Sequence, residues 1–158
     1  MKLSFPFLSR HKILMPILCL LCAAPAFLPA QTTAMEIETL LASDTLSWAQ
    51  ASRFVLEAAD PGTAFDDPID AFNFAVGQNW LPRNVRPNET ARLDGIALLL
   101  MQSFGLQGGI FFTLTGSPHF AYRELEHMGI LHGRISPGQM VSGETLLYLT
   151  GRVLDRVE

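Results

Sequence analysis

Two stretches of equal length decide the fold: AFNFAVGQNWLPRNVRPNETARLDGIALL at residues 71–99 and AYRELEHMGILHGRISPGQMVSGETLLYL at residues 121–149. They align without a gap, and each predicts a short helix, a loop with a proline and a longer apolar helix. Apolar residues coincide at many aligned positions, among them Ala71 and Ala121, Phe72 and Tyr122, Ala75 and Leu125, Trp80 and Ile130, Leu81 and Leu131, Val85 and Ile135, Leu99 and Leu149. A repeat of this period indicates stacked helical units that share one core.

Three apolar helices should form the centre of that core. The first is predicted over Ser47–Asp60, where Ser47 and Gln50 make a capping-box pattern and Asp-Pro-Gly ends the helix. The second, over Ala91–Gly105, has an apolar stretch that leaves it no polar face. The third, over Ser142–Val157, has Ser142 as its N-cap. We therefore expect a mainly all-α fold.

Shorter helices are predicted before the second and third apolar helices, over Pro68–Gln78 and Pro118–Met128, because proline suits a first helical turn. The stretch IFFTLT at residues 110–115 is either a short strand or a buried connector. Aligning Ser47, Ala91 and Val141 as equivalent starts gives a partial repeat at residues 31–62 and fuller repeats at residues 63–107 and 108–158. These would make one domain, residues 31–158.

The first thirty residues have the pattern of a secretory signal peptide. A basic start is followed by an apolar run, Ile13–Ala30, that ends in small residues. Three prolines and a length at the lower limit for a bilayer span favour cleavage after Ala30 over a membrane anchor. A lipoprotein signal with Cys22 as the lipidated residue is the third reading. We expect export to the periplasm or cell envelope, with membrane contact only through this segment.

The expected mature chain is acidic and has no cysteine. Residues 1–30 carry both cysteines and three of the eleven basic residues, so eight arginines face fifteen acidic residues. This balance disfavours nucleic acid and anionic lipid as partners. No disulfide or thiolate metal site is expected.

The repeats resemble those of the S-layer homology (SLH) family. SPHFAYRELEHMGILHG, residues 117–133, is similar to the first half of an SLH motif. FDDPIDAF and the stretch that ends in PNETARLD are similar to its remaining parts, with Arg92 and Asp94 at the R and E of the family's T-R-A-E signature. The resemblance covers about residues 47–155. It implies repeats around a pseudo-threefold axis, with the apolar helices at the centre.

The resemblance also implies a ligand, since the arginines of that signature line grooves that bind acidic cell-wall glycans. Only the middle copy keeps the arginine, because the other two read S-W-A-Q at residues 47–50 and V-S-G-E at residues 141–144. The candidate ligand-binding residues are therefore Arg92 with Arg83, Arg86 and Trp80, which combine forked cations with a ring that could stack on sugar. The alternative is that these arginines pair with acids while Trp80 packs in the core.

Two other groups could carry chemistry. His119, Glu124, His127 and His132 could bind a metal, although surface and capping roles are the simpler interpretation. Asp66, Asp67 and Asp70 could act as acid and base, or favour the start of a helix. We expect no cofactor, no metal and no enzyme activity.

Three functions are left open at this point. The chain is an SLH-like envelope domain that binds cell-wall polysaccharide, or a protein–protein adaptor whose glycan site has eroded and whose partner is an envelope protein. A small metal-dependent hydrolase is the third hypothesis.

Overall fold

The computed structural model describes residue 35, residues 37–133 and residues 135–157. The expected signal segment, with Cys19 and Cys22, lies outside these residues. The described part is mainly helical, as predicted. Residues 37–41 are helical, and the elements that follow them are α1 (Trp48–Ala59), α2 (Pro68–Gly77), α3 (Leu93–Ser103), α4 (Ile110–Thr115), α5 (Pro118–His127) and α6 (Gly143–Val157). No helix in this part is long and apolar enough to cross a bilayer.

The helix ends follow local capping chemistry. Ser47 and Gln50 form the expected capping box at the start of α1. The Ser142 hydroxyl accepts a hydrogen bond from the amide of Thr145 (3.2 Å), so it caps the start of α6. Positive φ angles at Asn79 and Gly129, 60° and 70°, end α2 and α5. These caps satisfy backbone groups that a helix terminus leaves unpaired.

The core is centred on α3. From Gly95 to Met101 all its residues are buried, as the uninterrupted apolar stretch predicts. Helices α1 and α5 both pack against α3, and α2 packs against α1. The short helices α2 and α5 thus cover the outside of longer apolar helices, each burying apolar or aromatic residues at aligned positions: Ala71 and Ala121, Phe72 and Tyr122, Ala75 and Leu125.

Three extended residues just before the long helices are joined by a closed ring of backbone hydrogen bonds. The amide of Leu46 donates to the carbonyl of Val141 (2.9 Å), that of Val141 to Ala91 (3.1 Å), and that of Ala91 to Leu46 (2.8 Å). The ring holds the first turns of α1, α3 and α6 close together.

A second set of bonds lies two residues further on. The first amide of each long helix donates a hydrogen bond to a carbonyl in the segment that precedes another of the long helices. The pairs are Trp48 with Glu89 (3.0 Å), Leu93 with Gln139 (2.9 Å) and Gly143 with Ser43 (3.0 Å). Each long helix therefore begins against a loop that leads into another.

These bonds correct the alignment of the first helix. The expectation placed Ser47 with Ala91 and Val141, but the residue in the ring is Leu46. Counted from the ring, Ser47 then takes the position of Arg92. The error of one residue arose because Ser47, the cap of α1, was aligned with Ala91, which precedes the cap of α3.

The expected strand or buried connector at residues 110–115 is also wrong, because this stretch is the helix α4. Gly109 precedes it and Gly116, at φ 54°, terminates it. The Thr113 and Thr115 hydroxyls bond back to the carbonyls of Gly109 (3.1 Å) and Phe111 (2.7 Å). These contacts and the burial of Phe112 outweigh the β propensity of the sequence.

Gly95 and Gly151 offer a matched test of this packing. A Cβ on Gly95 would collide with the Trp48 ring and lie 2.7 Å from Cγ of Pro82, whereas one on Gly151 would meet nothing within 4 Å. We expect Gly95→Ala to lower the free energy of unfolding by about 1–3 kcal/mol. Gly151→Ala, within α6, should raise it by about 0.5–1 kcal/mol. Urea unfolding measures both, and equal effects of the two substitutions would contradict this packing.

Candidate functional site

Arg92 lies where the start of α3 meets the loop of residues 135–140. Its backbone pairs with Met140 in an antiparallel bridge. The amide of Asp94, two residues on, donates to the carbonyl of Pro137 (2.8 Å). The Arg92 side chain is 58% exposed. Its Nη2 atom is 3.8 Å from where a Cβ of Gly138 would be, so the guanidinium lies beside a residue without a side chain.

Asp94 orients this guanidinium. Its Oδ2 atom accepts a hydrogen bond from Arg92 Nη2 (3.0 Å), while its Oδ1 atom accepts one from the amide of Gly95 (2.9 Å). The Asp94 side chain is 20% exposed, so this partly exposed ion pair contributes modest stability, about 1 kcal/mol. A guanidinium has five N–H donors, so most of them stay available to a ligand.

Arg83 and Arg86 belong to a different junction. Their loop packs on the start of α1, where the amide of Ala49 donates to the carbonyl of Pro87 (3.0 Å). Arg86 is exposed and lies 3.8 Å from Glu89. Arg83 is exposed and has no ion pair within the described part of the chain. No contact joins either of them to Arg92 there, so their membership of one binding patch stays a prediction.

Trp80 is half-buried, so it lies between the exposed ring expected of a sugar-binding residue and the buried ring expected of a core residue. Its ring meets Phe74 edge-on at 5.8 Å, and Phe74 lies 5.9 Å from Phe65. The aligned residue Ile130 is buried. Trp80 therefore packs against the core on one side and belongs to a partly exposed aromatic cluster, Phe65–Phe74–Trp80, on the other.

Several of the acidic and histidine side chains singled out in the sequence make local contacts at the starts of their own helices. Asp67 caps α2 by accepting a hydrogen bond from the amide of Ile69 (2.8 Å), and Asp70 lies in the first turn. His119 meets the Phe120 ring edge-on at 5.5 Å. Among the described residues, no three His, Cys, Asp or Glu side chains are grouped so that they could hold a metal ion.

Sequence reasoning missed two features. Arg152 and Arg156 of α6 reach the carbonyls of Gly129 (2.8 Å) and Met128 (3.4 Å) and so satisfy the end of α5. An open cleft of about 470 Å³ lies between α4 and the end of α3. Its lining has no charged side chain and includes none of the predicted site residues. The arginine spacing in α6 could have suggested the first feature, but nothing in the sequence pattern marks the cleft.

Tyr122 ties α5 to the loop of residues 135–140, next to which Arg92 lies. Its hydroxyl donates to the carbonyl of Ile135. Burial, with a smaller contribution from the nearby Glu126, raises the pKa of Tyr122 above 10.0. The folded state thus holds this proton more tightly than the unfolded state does.

The alkaline stability of the protein should depend on Tyr122. Because folding raises its pKa, its contribution is complete below about pH 10 and is lost as the pH rises above that value. Tyr122→Phe should lower the free energy of unfolding by about 1 kcal/mol at neutral pH and make it less sensitive to alkaline pH. Tyr148→Phe, at an exposed position, is the control for urea unfolding at several pH values. If the Tyr122→Phe variant lost as much free energy of unfolding at alkaline pH as the wild type does, this role would be contradicted.

No protein-family model, no curated protein and no solved structure matches this chain. The resemblance to the SLH family therefore stays a prediction from the residues quoted for it.

Proposed function

We propose that this chain is an exported, non-enzymatic, SLH-like domain of the cell envelope that binds an acidic cell-wall glycan at Arg92. The observation that carries the proposal is the closed ring of Leu46, Ala91 and Val141. Such a ring is what three degenerate repeats around a pseudo-threefold axis would form. Arg92 follows one member of the ring and is exposed beside another repeat's loop, which is where the family resemblance expects a groove.

The chemistry of this junction suits a carboxylate-bearing sugar. Arg92 presents a forked cation, and most of its N–H donors can bind a ligand carboxylate beside its pair with Asp94 (3.0 Å). The equivalent positions after Leu46 and Val141 are Ser47 and Ser142. The proposal therefore assigns one glycan site to the chain. Arg83, Arg86 and Trp80 remain predictions for an accessory surface at the neighbouring junction.

A binding assay on bacterial cell wall that carries acidic polysaccharide tests this proposal. We expect Arg92→Ala to weaken binding by about tenfold or more, because charge-assisted bonds contribute roughly 1.5–3 kcal/mol. Arg92→Lys should be intermediate, since lysine keeps the charge but loses the fork. Arg123→Ala removes an exposed arginine on α5 and should bind like the wild type.

Two results would overturn the glycan proposal. One is failure of the wild type to sediment with the wall at any salt concentration. The other is equal loss of binding in the Arg92 and Arg123 variants, which would indicate non-specific attraction between charges.

The adaptor is the second candidate, and the outer face of α2 favours it. Ile69, Phe74 and Val76 are exposed there. The aligned positions of α5 are His119, Glu124 and Glu126, so the same place in the fold is polar in the other copy. An apolar face that the fold does not require suits a protein partner. A double variant, Ile69→His with Val76→Glu, should leave wall binding unchanged if Arg92 carries it.

A further inference from the structure

Met140 lies directly opposite Arg92 in the bridge that joins the start of α3 to the loop of residues 135–140. Backbone hydrogen bonds flank this pair on both sides: the amide of Leu93 donates to Gln139 (2.9 Å) and that of Val141 to Ala91 (3.1 Å). In an antiparallel ladder this pattern marks a non-hydrogen-bonded pair, whose Cα atoms are about 4.5 Å apart and whose side chains lie close together on one face. The side chains of Arg92 and Met140 therefore share one surface.

That surface is open around the guanidinium. Met140 is 62% exposed, so its thioether contributes little to the core. Gly138 is exposed as well. A Cβ at Gly138 would be 3.8 Å from Arg92 Nη2, and no other described atom beyond its chain neighbours would lie within 4 Å. The cation thus has an apolar side chain beside it and free space over the turn.

The neighbouring junction has a similar backbone with different side chains. Ser47 and Thr90 form the corresponding bridge at the start of α1, and Asn88 is the residue aligned with Gly138. The bridge forms with either set of side chains. The fold therefore does not explain why a cation, an exposed methionine and a glycine occur together at one junction.

We propose that Met140 and Gly138 determine the specificity of the Arg92 site, whose ligand is an acidic sugar ring that lies over Gly138, with its carboxylate on Arg92 and its C–H face against Met140. This inference rests on the function proposed above and names the part of the glycan that is recognised. Methionine suits such a contact, because its flexible, polarizable side chain adapts to the shape of a ligand. A phosphate on an open polyol chain would offer charge to the arginine but no ring face to the methionine.

Binding to bacterial cell wall that carries acidic polysaccharide, measured at several salt concentrations, tests the role of Met140. Met140→Thr introduces the residue of the neighbouring bridge and should weaken binding about threefold to tenfold at every salt concentration, because apolar burial is lost and charge is kept. Arg92→Ala should instead make binding less sensitive to salt. Met140→Leu keeps the apolar area and should bind more tightly than the threonine variant.

Gly138→Leu tests the open space over the turn. Gly138 does not have a left-handed φ angle, so its backbone accepts a side chain. Leucine there would cover the guanidinium and should weaken binding by about tenfold or more, since the charge-assisted bonds would be blocked. Asn88→Leu places the same side chain on the aligned, exposed turn and should bind like the wild type. Urea unfolding should show that these exposed substitutions leave the fold intact.

Two soluble polymers distinguish the kinds of acid. Polyglucuronic acid should compete with the wall for the wild type better than poly(glycerol phosphate) of the same charge does, and Met140→Thr should reduce the difference. Equal competition by the two polymers would overturn the inference. So would equal weakening by Gly138→Leu and Asn88→Leu.

The outcomes also separate this inference from the proposed function. If Arg92→Ala loses binding while Met140→Thr and Gly138→Leu bind like the wild type, the function stands and the inference fails. If the wild type does not bind the wall, both fail.

Discussion

The structure depends on three backbone amides that have no partner within their own helices. Leu46, Ala91 and Val141 are extended residues that precede α1, α3 and α6, and each is completely buried or nearly so. A buried amide without a hydrogen bond would cost about 1–3 kcal/mol. The closed ring satisfies all three amides and three carbonyls at once. It thereby determines where the three long helices begin, and the burial of α3 between its neighbours follows from that placement.

Much of this fold could be predicted from local patterns. The predicted ends of the helices lie within two residues of those in the structure, because caps, prolines and glycines act on their immediate neighbours. Tertiary contacts were harder to infer. The register of α1 was one residue out, since the ring and not the capping serine defines the equivalent position. Residues 110–115 have β-forming side chains, yet the flanking glycines and one buried phenylalanine make them a helix.

The predicted site residues are close in sequence but belong to segments with different backbone contacts. Arg83, Arg86 and Arg92 lie within ten residues, and a single patch was the natural expectation. Between them the chain turns at residues 83–84 and 87–88, and only then is Thr90 bridged to Ser47 and Arg92 bridged to Met140. Arg92 therefore belongs to the junction of α3 with the loop of residues 135–140, while the preceding loop packs on α1. Pattern alone could not show this division, and ligand binding by these residues stays a prediction.

Native-state hydrogen exchange of the three ring amides tests the role of the ring most directly. If the ring holds the three helix starts together, the amides of Leu46, Ala91 and Val141 exchange only when the whole domain unfolds. All three should then report one free energy of opening, equal to that from urea unfolding. If any of the three exchanges as fast as the amide of the exposed loop residue Asn88, the ring is not closed in solution, and the arrangement of the long helices must have another cause.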